Sequence, residues 1–281
     1  MRKFTLLAGL AAALVSFPAF AQDASSDTAL EGDYLTVGIG AVYTPSYWGS
    51  DDNVITAFPA VQGSIKGIGI NPRTNGAALD FIPEAKDAKI GFSLGPVAGY
   101  TGNRHRQIKD SVVKRTGKLD DAIELGVTAG VTGYRLLNDY DQLSLSADVR
   151  WDVAGAYKGM VVQPSVTYVT PLSKGTLVTL NATAHHGDGK FNRYYYSVNA
   201  RQSLASGGIL PVYGAKKGWD SFNLGILAAQ DLDGNLLNGG LAVFAVGSYG
   251  KQLNDGKDTP FTRIRGDSDQ WIGGLGIGYT F

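Results

Sequence analysis

Residues 141–153 read DQLSLSADVRWDV, and their strict alternation decides the fold class. Leu143, Leu145, Ala147, Val149, Trp151 and Val153 share one face of an extended chain, while Gln142, Ser144, Ser146, Asp148, Arg150 and Asp152 share the other. A slip of one residue exchanges the two faces. In a bilayer that slip would turn Arg150 toward hydrocarbon at a cost of roughly 2–4 kcal/mol, so a membrane fixes the register.

The same pattern recurs along the chain. It predicts strands over 34–43, 56–66, 76–82, 88–101, 122–136, 141–153, 159–170, 175–186, 194–202, 221–230, 236–249 and 270–281. Many approach the ~9–11 residues of a tilted spanning strand. Turn-forming runs separate them: NDYD at 138–141, PLSKG at 171–175, HGDG at 186–189 and DLDGN at 231–235.

Composition narrows the class. The 281 residues include 38 Gly, 14 Tyr, 11 Phe and 4 Trp, and only 18% are charged, against about a quarter in soluble domains. After residue 21 no segment approaches a helical membrane span. A polar face of Gly, Ser, Thr, Asn and Gln suits a sheltered interior better than bulk water. The fold expected is therefore all-β: a transmembrane antiparallel up-and-down β-barrel of about twelve strands, with ten as the alternative, in one domain over 22–281.

The N-terminus points to export. Arg2 and Lys3, an apolar run over 6–15, and Ala19 and Ala21 before Gln22 make a Sec-type signal peptide over 1–21. Without Arg2 and Lys3, 23 basic residues face 25 acidic ones, so nucleic acid is excluded as a partner. The chain has no cysteine, which excludes disulfides and an N-terminal lipid anchor. The expected location is the outer membrane of a Gram-negative bacterium, with surrounding lipid and the barrel-assembly machinery as partners.

Candidate chemistry is sparse. His105, His185 and His186 are the histidines, and the adjacent pair points to opposite faces of a strand. No G-x-S-x-G motif is present. DLDGN lacks calcium-loop spacing, having Gly234 at its fourth position and Ala242 at its twelfth, and reads as a tight Asp-Gly turn. The glycines of GGLGIG have no following helix to hold a dinucleotide. No enzyme, metal or cofactor is expected. Inward phase makes Glu124, Asp148, Arg150, Asp152 and Arg201 a candidate lumen network, either a pore lining or paired charges that plug the barrel.

Both termini of such a barrel belong on the periplasmic side, with long loops outside. The strands above put 102–121 on the periplasmic side and 203–220 and 247–269 outside. Either a strand is missed, or a substantial basic loop faces the periplasm.

Several stretches resemble the MltA-interacting protein (MipA) and OmpV family in order and spacing. They are GDYLTVGIGAVYTPSYWGSDD (32–52), FPAVQGS (58–64), LGPVAGYTGNR (94–104), LDDAIELGVTAG (119–130), RYYYSVNARQSLASG (193–207), DTPFTR (258–263) and GGLGIGYTF (273–281). Thr259 stands where that family usually has Ser. The resemblance implies an outer-membrane barrel and a scaffold joining a lytic murein transglycosylase to a murein synthase. A small-solute channel is the alternative; an adhesin or lipid hydrolase is further off. For a scaffold, the basic segment 104–118 is the candidate contact. The chain ends on Phe281, in phase with Trp271 and Tyr279, which resembles the terminal aromatic signal for barrel assembly.

Overall fold

In the computed structural model, which describes residues 32–85 and 87–281, the alternating segments close into one antiparallel wall. The expected cleavage site at Ala19, Ala21 and Gln22 lies outside the described residues. The strands are β1 (Tyr34–Pro45), β2 (Asn53–Ile65), β3 (Ile68–Arg73), β4 (Gly76–Asp80), β5 (Ile90–Thr101) and β6 (Ala122–Tyr134). They continue as β7 (Gln142–Asp152), β8 (Met160–Ser173), β9 (Thr176–Gly187), β10 (Gly218–Asp231), β11 (Gly240–Gln252) and β12 (Asp269–Thr280). Each pairs with the next, and β12 returns to β1 from Thr36↔Thr280 to Tyr43↔Gly273. Closure leaves no sheet edge, which is what a bilayer demands of a β structure.

The expected phase holds in β7: Leu145 and Trp151 are exposed outside, while Asp148 and Arg150 are buried inside. Ile39, Ile55, Phe92, Leu125 and Leu275 extend the exposed apolar belt around the barrel. Such a belt is far too large for a water-facing surface and suits lipid.

Two strand assignments change although the total of twelve stands. β3 was not expected: its six residues include Pro72 and follow a two-residue turn, Lys66 (φ 52°) and Gly67 (φ 77°), whose positive φ values suit a hairpin. Conversely, 194–202 is not a strand. Asp188 caps α2 (Gly189–Tyr196), and Asn199 with Gln202 forms a capping box on α3 (Ala200–Ala205). Local caps there outweigh the β propensity of three tyrosines and a valine. The Asp-Gly turn is also longer than expected, an eight-residue connection over 232–239 that includes a 3-10 turn at Leu236–Asn238.

The missed β3 moves the loops that follow it across the membrane as far as 194–202, whose loss as a strand restores the outside placement expected for 203–220 and 247–269. Connections 46–52, 74–75, 102–121, 153–159, 188–217 and 253–268 lie at one end, three of them 16 residues or longer. Connections 66–67, 81–89, 135–141, 174–175 and 232–239, none longer than nine residues, lie at the other, with both barrel termini. Segment 102–121 is therefore on the same side as the other long loops, correcting the periplasmic placement expected for it. Long loops outside and short turns inside is the arrangement of outer-membrane barrels.

Two interior surfaces differ. One sector is apolar, formed by Val42, Phe58, Leu177, Leu227, Leu236 and Phe244. It depends on bare glycine: a Cβ on Gly40 would come within 2.4 Å of the Phe58 ring, and one on Gly276 within 2.3 Å of the Phe244 ring. These glycines in the β1–β12 wall make room for two large rings. The other sector, along β5 to β8, is charged.

Candidate functional site

The charged sector is built by inward positions on neighbouring strands. Arg150 Nε lies 3.0 Å from Glu124 Oε2, and its Nη1 lies 3.7 Å from Asp148 Oδ2. Its Nη2 donates to Gln163 Oε1 at 2.9 Å. Arg73, from the unexpected β3, pairs with Asp148 at 3.1 Å and donates to Thr128. Thr101 and Tyr157 donate to Glu124 Oε1 at 2.8 and 3.0 Å. Two guanidinium groups thus offset two carboxylates. With Glu124 1%, Asp148 3% and Arg150 5% exposed, the charges are spent on each other and not on a water column.

Of the five expected network residues, Glu124, Asp148 and Arg150 are brought together and two are not. Asp152 sits at the end of β7, where its carboxylate accepts from the backbone N–H groups of Ala154, Gly155, Tyr157 and Lys158. It thereby shapes the loop that sends Tyr157 to Glu124. Arg201 is exposed on α3, because that segment is helical and has no inward strand phase. Sequence reading missed Arg73; the signal was the Lys66-Gly67 hairpin turn that opens its strand.

Above the network the long loops fold on one another into a cap. Its helices also include α1 (Ser111–Arg115), α4 (Asn254–Asp258) and α5 (Pro260–Arg263). Trp48 packs 5.2 Å from Tyr195, Phe191 4.7 Å from Tyr195, and Tyr157 edge-on 5.0 Å from Phe191. Val112, Val113, Val198, Leu210 and Phe261 form an adjoining apolar cluster. At the junction Arg104 is 1% exposed. Its guanidinium carbon stands 3.7 Å above the centre of the Phe261 ring, and Nη2 donates to the Tyr195 carbonyl at 2.7 Å. Burial pushes its pKa down to about 10, which still leaves it charged at neutral pH. Thr259 donates to the Tyr196 carbonyl at 2.6 Å, a bond its hydroxyl shares in kind with serine.

Arg265 and Asp110 join two of these loops across the cap. Burial alone would raise the Asp110 carboxyl, but hydrogen bonds from Arg265 and from the N–H groups of Val113 and Val112 hold it below its ordinary value.

The histidines occupy separate settings. His105 lies 2.9 Å from Asp121. His185 faces inward, with Nδ1 2.9 Å from buried Asp220, whereas His186 packs outward against Trp219. Ser221 donates to Asp220 and not to His185, so the three do not line up as nucleophile, base and orienting acid. Among the described residues no His, Asp and Glu cluster could hold a metal ion. Trp271, Tyr279 and Phe281 are all exposed on the outer face, the last two with ring centroids 4.8 Å apart.

At the turn end, segments 81–89 and 135–141 are tied together. Arg135 donates to the carbonyls of Asp87 and Ala88, and Asp141 accepts from the N–H groups of Leu136 and Leu137. This bracing leaves Phe81, Leu136, Leu137 and Tyr140 exposed, Leu137 at 82%.

A family model described as MltA-interacting protein MipA matches residues 37–281. No curated protein matches the chain. Among solved structures the barrel is similar to an outer-membrane channel from Pseudomonas putida F1, with 13% identity, TM-score 0.42, and 93% of this chain and 100% of that one covered. It is also similar to the outer-membrane channel DcaP of Acinetobacter baumannii, with 10% identity, TM-score 0.39, and 89% and 96% covered. The toluene transporter TodX of Pseudomonas putida gives 9% identity, TM-score 0.39, and 89% of each chain covered.

Proposed function

The chain belongs to the MltA-interacting protein MipA family, and on that premise we propose that this outer-membrane barrel works as a scaffold and not as a conduit. The observation that carries this reading is the interior: Glu124, Asp148 and Arg150 are buried against one another beneath a packed cap. A solute path would need those charges to face water. The partners proposed are a murein-degrading and a murein-synthesising enzyme, as the family description suggests for the first of them.

Murein lies on the periplasmic side, so the contact surface proposed is the turn face around Phe81, Leu136, Leu137 and Tyr140. The segment 104–118 does not serve: it belongs to the opposite end, and its Arg104 is buried in the cap. Replacing Leu136, Leu137 and Tyr140 together with Ser should reduce recovery of murein enzymes after crosslinking in intact envelopes. Deleting 105–117 should not. Undiminished recovery by the triple variant removes the turn face from the role, and stable unitary conductance steps from purified protein would overturn the scaffold reading.

Assembly is proposed to depend on the closing strand. Phe281 N–H donates to the Leu35 carbonyl at 3.0 Å, and its ring lies on the lipid side. Deleting Phe281 or appending a charged tail should lower the amount of heat-modifiable barrel in outer-membrane fractions. Normal amounts would refute it.

A further inference from the structure

The barrel wall is thin on either side of the β3–β4 hairpin: the β2–β3 ladder runs over only Gly63↔Ile70, Ser64↔Gly69 and Ile65↔Ile68, and the β4–β5 ladder over only Gly76↔Gly99, Ala77↔Ala98 and Ala78↔Val97. The two-residue turn makes Ile65 and Ile68 the first pair to exchange both N–H···O bonds, and every second pair repeats this. The series continues to Gly63 with Ile70 and then to Val61 with Pro72. Pro72 has no N–H to give. In the same phase of β2, Pro59 also lacks the donor that would face β3. Two missing donors therefore meet at one seam, and the pairing ends there.

Val61 and Pro72 both belong to the outward phase of their strands. Both nevertheless line an interior cavity of about 70 Å³, whose other walls include the inward-facing Leu227, Leu236 and Phe244. The cavity therefore abuts the seam. Gln62 also lines it, and its Nε2 is buried with no hydrogen-bond acceptor. The Tyr34 hydroxyl interacts with the Gln62 side chain, whose amide nitrogen has two N–H groups to give. A mostly apolar chamber with one unsatisfied amide donor asks for hydrocarbon carrying an acceptor oxygen. Thr36 and Thr280, which also line it, put it toward the turn end of the barrel.

We propose that this cavity binds the carbonyl end of a fatty acyl chain, which reaches it sideways through the β2–β3 seam while the rest of the chain stays in the bilayer. The Gln62 amide donates to the carbonyl oxygen. The adjoining methylenes cover Leu227, Leu236 and Phe244.

The test uses the full barrel in phosphatidylethanolamine vesicles carrying either a diazirine-bearing phospholipid or a diazirine-bearing free fatty acid, each tagged beside the carbonyl. Peptide mapping after illumination should find label on inward positions of β2 and β11, and the more effective probe identifies the source of the chain. Gly278→Leu should abolish that label, since a Cβ there meets nothing closer than 3.7 Å and the longer side chain fills the chamber. Gln62→Leu should lower labelling roughly two- to tenfold, the worth of one hydrogen bond. The double variant Pro59→Val, Pro72→Val restores both N–H donors and should close the seam. Heat-modifiable migration confirms that each variant is folded. Label confined to outward-facing residues, or inward label unchanged in Gly278→Leu, overturns the site. Inward label unchanged in the double proline variant overturns the sideways route.

Discussion

The cap and the lumen each bury an arginine, and they do it in opposite ways. In the lumen Arg150 has Glu124 and Asp148 beside it and Gln163 as a further acceptor. In the cap Arg104 has a phenyl ring below it and one carbonyl, while its Nε and Nη1 find no acceptor. Arg150 therefore compensates Glu124 and shares Asp148 with Arg73, whereas Arg104 is itself the undercompensated group. The side chain is the same and so is the depth of burial; the partners decide what removal costs.

The largest effect is expected from Arg150→Met, which leaves Glu124 and Asp148 buried with less opposing charge. A loss of about 3–5 kcal/mol should appear in urea titration of the heat-modifiable band. Wild-type stability would mean that Arg150 is not what holds the two carboxylates. Gly276→Val comes next, because the new side chain must displace the Phe244 ring and press on the Ile39 carbonyl. Overpacking of this kind costs about 1–3 kcal/mol, and Phe244→Leu in the same chain should recover part of it.

Acid should loosen the cap at Asp110. Asp110 has a folded-state pKa below its ordinary value, so its contribution is fully present above the ordinary carboxylate range and is lost as pH falls through the lowered value. Hydrogen exchange in α1 should accelerate below about pH 4 in the native chain. In Asp110→Asn it should be faster already at neutral pH, with little further change on acidification. Arg104→Met should do least, within about 1 kcal/mol of wild type, since a similar volume replaces a charge that lacks full pairing. A loss as large as that of Arg150→Met would erase the distinction between the two regions.

The wall was readable because lipid outside and a packed interior impose one period on every long strand. β5, β7 and β12 show it, and inward phase alone singled out Glu124, Asp148 and Arg150. Arg73 escaped because its strand is six residues long and interrupted by Pro72. Asp152 kept the phase but lies at a strand end, where free backbone N–H groups captured it. Arg201 was misassigned because tyrosine-rich sequence suggested a strand while the Asn199 and Gln202 capping box made a helix. The cap itself was not legible: Trp48, Arg104, Tyr157, Tyr195 and Phe261 come from five loops, and no local period links them.

The sequence by itself determined the class of molecule, because alternation and low charge are properties that a membrane barrel reconciles. Tertiary structure alone decided which end 102–121 occupies, since one short strand reverses the direction of the chain until the loss of 194–202 as a strand reverses it again. It also decided that the lumen charges are paired, that two prolines face the same seam, and that a buried arginine rests on Phe261. Each of these depends on residues far apart in the chain meeting at a distance of a few ångströms, and barrel closure sets those meetings.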